Sequence, residues 1–130
     1  MTSQCDMGNR EPEPCRKVEG SWLLLAEDDD LFASLFCRFF RKRNQERLEV
    51  RQVRSLAEAR RCLSRSVAPP VFAVMDLNLE DGSGRELASA LTCPHILWSA
   101  SPEPGVRAKP SGRPALEATV EEISLLAEGQ

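Results

Sequence analysis

The chain has 130 residues, 42% of them apolar and 28% charged, with a formal net charge of −3. That length suits one domain with a sizeable core and excludes two. No apolar run is long enough to span a membrane and no signal-type apolar stretch opens the chain, so no membrane partner and a cytoplasmic location are expected. The charge is uneven: residues 38–65 hold ten of the 17 Lys and Arg against three acids, a local +7 that leaves −10 elsewhere. Such a block can meet nucleic acid or an acidic partner. A solvated helix face with cations near its C-terminus is the plainer reading and speaks against nucleic acid. The five cysteines show no C-x-x-C spacing and there is one His, so no zinc pattern is present. Cys37 and Cys62 fall on apolar helix faces and read as buried thiols in a reducing compartment.

Residues 1–20 carry Pro, Gly and charge with scattered apolar residues and read as a flexible N-terminal tail to a domain over 21–130. "WLLLA" from Trp22 is a continuous apolar run, as in a strand buried on both faces. After Asp30, Leu31, Phe32, Leu35, Phe36, Phe39 and Phe40 recur at helical spacing, predicting an amphipathic helix that ends near Arg43. "LEVRQV" (48–53) alternates like a strand, and Ser55 with Glu58 forms a capping-box pattern for the helix "LAEARRCLSR". Pro69-Pro70 stops that helix, "VFAVMD" (71–76) is a third strand, and "EDGSG" is a turn-rich loop. "RELASAL" is a short helix, "HILWS" a fourth strand and "GVRAK" a fifth. A last amphipathic helix over about 113–127 places Leu116, Val120, Ile123 and Ala127 on one side. Strands alternating with helices imply one α/β domain, a doubly wound parallel sheet with helices on both faces.

In such a sheet, function gathers at the carboxyl ends of the strands. Here those ends bear Glu27-Asp28-Asp29-Asp30, Asp76, Ser99 and Lys109. Each alone has an ordinary explanation, and capping of the following helix is the one favoured for Asp30. Together at one edge they form a cleft of acids, a hydroxyl and an ammonium. Clustered carboxylates call for a cation, and Mg2+ suits a few carboxylates with a carbonyl and waters. The hydroxyl and ammonium add contacts for a phosphoryl group.

These segments resemble the receiver domain of two-component response regulators. "LLLAEDDD" is similar to the first strand and acidic pair of that family, "VMDLNLEDGSGRELA" to its phosphoacceptor strand, "WSA" to its Ser/Thr strand and "AKP" to its Lys-Pro ending. The resemblance covers about residues 21–128. It implies a flavodoxin-like five-stranded order 2-1-3-4-5. It also implies phosphorylation of Asp76 by a histidine kinase or phosphotransfer protein. Mg2+ would be bound by Asp28, Asp76, the Asn78 carbonyl and, through water, Glu27, and phosphoryl oxygens by Ser99 and Lys109. Self-phosphorylation and dephosphorylation would be its only chemistry.

Two departures matter. Residues 100–108 leave no room for the family's fourth helix. Fully extended, 100–105 reach roughly 20 Å at ~3.3 Å per residue, against about 17 Å for a five-residue strand. A Pro-stiffened strap can therefore return to a parallel fifth strand, and this is preferred to a hairpin, which would carry Lys109 to the wrong edge. The second departure is Val106, which stands where relatives often have an aromatic reporter. With the helix gone, Trp98, Pro102, Pro104 and Val106 are expected to form an exposed surface for a downstream protein or a second copy. The alternatives are a receiver-shaped binding module that works without phosphorylation, and a haloacid-dehalogenase-type phosphatase using Asp28-x-Asp30. Phe32 stands where the latter expects Thr or Val.

Overall fold

The computed structural model describes residues 20–45 and 47–129. The expected tail therefore lies, apart from Gly20, outside the described residues. In chain order the elements are β1 (Trp22–Ala26), α1 (Asp30–Asn44), β2 (Glu49–Val53), α2 (Leu56–Arg65), β3 (Phe72–Asp76), β4 (Asn78–Leu79), β5 (Gly82–Ser83), α3 (Gly84–Ala88), β6 (His95–Ser99), β7 (Arg107–Ala108) and α4 (Arg113–Glu128). The main sheet runs β2-β1-β3-β6-β7, parallel throughout, with a small β4–β5 hairpin beside it where only a loop was expected. This is the flavodoxin-like order that the resemblance implies.

Burial explains the apolar runs. β1 and β3 are covered on both faces, so every one of their residues is buried. Leu23, Leu25, Val74 and Trp98 face α1 and α4, which contribute Phe36, Phe40, Val120 and Ile123. Leu24, Ala26, Ala73 and Met75 face α2 and α3, meeting Leu56, Ala59 and Leu87. Cys37 and Cys62 are both buried. Cys62 remains a thiol whereas Cys37 is disulfide-bonded, so the reading of two thiols holds at one of them.

Helix ends follow local chemistry. Asp29, not Asp30, caps α1, its carboxylate accepting from the Phe32 N–H at 3.1 Å. Asp30 instead accepts from Gln52 Nε2 and pairs with Arg54. Ser55 caps α2 by accepting from the Glu58 N–H at 3.1 Å. Arg41, Lys42 and Arg43 occupy the last turn of α1, where cations suit the dipole.

The join between β6 and β7 is short and helix-free. Trp98 pairs with Arg107 and Ser99 with Ala108 in parallel register, so the hairpin alternative is out. Only the last two residues of β6 pair with β7, and the connector does not need to travel back along a whole strand. It is not extended throughout either. The Val106 N–H donates to the Glu103 carbonyl at 2.8 Å, and Gly105 has φ 82°. Pro104 and Gly105 thus occupy the central positions of a type II turn, whose third residue needs positive φ.

The expected exposed surface is corrected in part. Pro102 and Pro104 are exposed, but Trp98 is 1% and Val106 7% exposed. Trp98 points to the α1/α4 face, where Phe32 and Phe36 meet it edge-on with ring centroids 5.4 and 6.1 Å away. The missing helix would have covered the opposite face, so its loss does not bare Trp98. Val106 lies beneath the turn, and Arg85 on α3 holds the strap through Glu103 at 2.5 Å.

Candidate functional site

Parallel strands deliver their carboxyl ends to one edge, and four ends converge there. β1 ends into Glu27 and Asp28, β3 ends at Asp76, β6 at Ser99, and β7 leads to Lys109. The Lys109 N–H donates to the Ser99 carbonyl at 2.9 Å, continuing the ladder by one residue and fixing where the lysine side chain starts. Its Nζ then reaches back to donate to Glu27 Oε2 at 2.9 Å and Asp76 Oδ2 at 3.1 Å. It also lies 4.6 Å from the centre of the Phe32 ring. The ligand oxygens of Glu27, Asp28 and Asp76 lie within 4.8 Å of one another.

Three carboxylates face one ammonium, an excess of two negative charges if all are ionised. Glu27 is fully buried, and Lys109 Nζ lies 2.9 Å from each of its two carboxylate oxygens. Burial pushes the Glu27 carboxyl up to about 7; Lys109 pulls against that rise, and the charge of Asp76 adds to it. Burial works to lower the Lys109 ammonium, but Glu27 and Asp76 outweigh it and hold its pKa above the usual lysine value. The lysine therefore stays charged at neutral pH.

A scan against protein-family models and a search of curated proteins find no match. Solved structures do match. The phosphorylated cyanobacterial phytochrome response regulator RcpA superposes with a TM-score of 0.68 at 20% identity, covering 81% of this chain and 91% of that one. A response regulator receiver domain from Rhodospirillum rubrum gives 0.67 at 15% identity, over 84% and 94% of the two chains. The response regulator MaeR bound to beryllium trifluoride gives 0.54 at 19%, over 84% and 97%. The chain has the receiver fold.

Within this receiver fold, the residues expected at the site fall into two groups. Glu27, Asp28, Asp76 and Lys109 are brought together. Asn78 is beside them, its N–H donating to Asp76 Oδ1 at 2.9 Å. Ser99 is at the edge and buried, but its Oγ accepts from the Ser101 N–H at 3.1 Å. No hydrogen bond links its side chain to Asp76 or Lys109 among the described residues. The acidic group fits a hard divalent cation. Its oxygens are close enough to share one ion, and with all three carboxylates ionised their excess of two negative charges matches a doubly charged ion.

Other contributors escaped sequence reasoning. Gln52 Nε2 donates to the Glu27 carbonyl at 2.9 Å, supporting the acidic turn from below. Asp81 accepts from the Leu56 and Ala57 N–H groups at 2.6 and 3.0 Å, tying the loop after β3 to the start of α2. Those two bonds hold its carboxyl below the usual range. Gly84 is the tightest contact. A Cβ there would lie 2.5 Å from the Asp76 carbonyl oxygen and 3.2 Å from Leu97 Cδ2. Gly84→Ala must therefore push the backbone that carries Asp76. Overpacking of this kind costs about 1–3 kcal/mol. A lower urea midpoint with an unchanged slope is expected, and an unaltered midpoint would rule out this close approach.

Proposed function

We propose that the chain is a phosphoacceptor receiver. It takes a phosphoryl group on Asp76 from the phosphohistidine of a histidine kinase or phosphotransfer protein, and it signals by binding protein partners. The observation that carries this reading is Lys109, whose ammonium joins Glu27 and Asp76 in a cleft built by four strand ends. A cation held beside a reactive carboxylate stabilises charge gathering on a transferred phosphoryl group, an electrostatic role that positioning alone can supply. An Asp76 carboxylate oxygen attacks phosphorus, the P–N bond breaks, and the imidazole leaves with its electron pair and takes a proton. Asp76 becomes an acyl phosphate, and Lys109 is placed to exchange its bond to the carboxylate for one to a phosphoryl oxygen.

Mg2+, bound by Asp28, Asp76 and the Asn78 carbonyl with Glu27 acting through water, would supply further charge neutralisation. Ser99 would turn its hydroxyl from the strap toward the phosphoryl group. Water is the second acceptor, so hydrolysis of the acyl phosphate would be the only turnover, and a cytoplasmic setting accords with this chemistry. The phosphatase reading finds less support, because Asp30 is engaged by Gln52 and Arg54 instead of joining Asp28.

Incubation with Mg2+ and a small-molecule phosphodonor tests the proposal by intact mass and peptide mapping. One phosphoryl group on the peptide holding Asp76, absent from Asp76→Asn, is expected. Label on Asp28 would favour the phosphatase. No label under these conditions would favour a binding module that works without phosphorylation.

A further inference from the structure

Asp81 sits at the tip of the β4–β5 hairpin, where Glu80 and Asp81 join two strands of two residues each. So short a hairpin has little stability of its own. Its base is fixed: the Leu77 N–H donates to the Trp98 carbonyl at 2.8 Å, and the Gly84 N–H to the Leu77 carbonyl at 3.0 Å. Asn78 lies between that base and the tip, paired with Ser83. What fixes the tip is α2. Within that helix start, Ser55 Oγ accepts from the Glu58 N–H. The Leu56 and Ala57 N–H groups, which helical geometry leaves without an intrahelical acceptor, both donate to the Asp81 carboxylate, at 2.6 and 3.0 Å. The hairpin and the helix also meet beside these bonds, since a Cβ at Gly82 would lie 2.6 Å from Leu56 Cδ1.

We infer that Asp81 is a positioning residue for the divalent cation: by pinning the hairpin tip to α2, it holds the Asn78 carbonyl in place for the ion. The inference rests on the reading of the carboxylate cluster as a metal site and adds a residue that never touches the metal. A plain helix cap would serve α2 alone. This one comes from a different element, and the chain between it and Asp76 holds Asn78. Bonds from two amides to one carboxylate are charge-assisted and set its orientation as well as its distance, and the helix dipole favours the negative charge there. Partners that orient metal ligands from behind cost about 10–100-fold in metal affinity when removed. Coupling of this kind runs both ways, so a bound ion should also steady the first turn of α2.

Calorimetric titration of the metal-free protein with Mg2+ tests this, with melting curves to check that all variants fold. Asp81→Ala is expected to weaken binding about tenfold. Asp81→Asn keeps an acceptor oxygen without the charge and should bind within about threefold of wild type. Ser55→Ala removes a cap of the same helix but leaves the hairpin tip attached. It should lower the melting temperature, yet bind Mg2+ within about twofold of wild type. Amide exchange gives a second readout: Mg2+ should slow exchange at Leu56 and Ala57 in the wild type and leave it unchanged in Asp81→Ala. Undiminished Mg2+ affinity in Asp81→Ala overturns the inference and leaves the metal site standing. An equal loss in Ser55→Ala overturns it too, by making the effect one of helix stability, and an equal loss in Asp81→Asn does so by making it one of charge. A wild type that takes up no Mg2+ removes the metal site itself, and this inference with it.

Discussion

Mg2+ added to the metal-free protein is expected to raise its melting temperature by roughly 10 °C at about a hundredfold excess over Kd. That excess is worth about 2.7 kcal/mol, and a domain of this size moves a few degrees per kcal/mol. The physical source is the crowding of Glu27, Asp28 and Asp76, whose oxygens lie within 4.8 Å while, among the described residues, Lys109 alone is paired with them. Unfolding separates those charges, so the native state alone gains from a cation placed among them. Asp28→Ala/Asp76→Ala removes two of the three carboxylates and should abolish the shift. An equal shift in that variant would mean that Mg2+ acts elsewhere, and the carboxylate cluster would lose its role as a metal site.

The site was legible in the sequence because a parallel sheet turns a one-dimensional fact into a three-dimensional one. Each apolar run stops at a polar residue, and parallel strands carry those stops to one edge, as Glu27, Asp76 and Lys109 show. Orientation within a run was not legible. "HILWS" is apolar on both sides of the strand, so nothing in its pattern says that Trp98 faces α1 and α4 while Leu97 faces α3. The mistaken exposure of Trp98 came from that ambiguity. The strap held a signal that went unread: Glu103-Pro104-Gly105-Val106 has Pro and Gly at the central positions of a type II turn.

Contacts between distant segments were hidden for a different reason. Phe32 belongs to the apolar face of α1 by spacing, and it serves there as expected, packing on Trp98. Its second contact, beneath the Lys109 ammonium, depends on how far β7 extends, and β7 is only two residues long. Gly84 likewise looked like one more loop glycine. Its meaning, a close approach to the Asp76 carbonyl, appears only once α3 is seen to begin there.

Lys109→Met should cost about 3 kcal/mol of stability at pH 8 in metal-free buffer, the scale for removing one partner of a buried ion pair. The methionine keeps most of the apolar stem, so packing on Phe32 largely survives and the missing charge dominates. The loss should depend on pH in a definite direction. In the wild type, the raised Glu27 pKa of about 7 means that its contribution to stability is present below about 4.5 and is lost as pH rises through 7. Removing the ammonium deletes the main influence that lowers the Glu27 pKa, so the folded value rises further and the loss at pH 8 deepens. At pH 5 Glu27 is protonated in both proteins, and the two urea midpoints should draw together. Glu27→Gln/Lys109→Met should recover part of the stability at pH 8, because the fully buried Glu27 charge is gone and only Asp76 is left without its cation. It should still fail to bind beryllium trifluoride, because the cation that would hold the phosphoryl mimic is gone. A Lys109→Met protein equally destabilised at pH 5 and pH 8 would show that the lysine does not offset a buried Glu27 charge. A double variant that binds the mimic as tightly as wild type would remove Lys109 from the phosphoryl site.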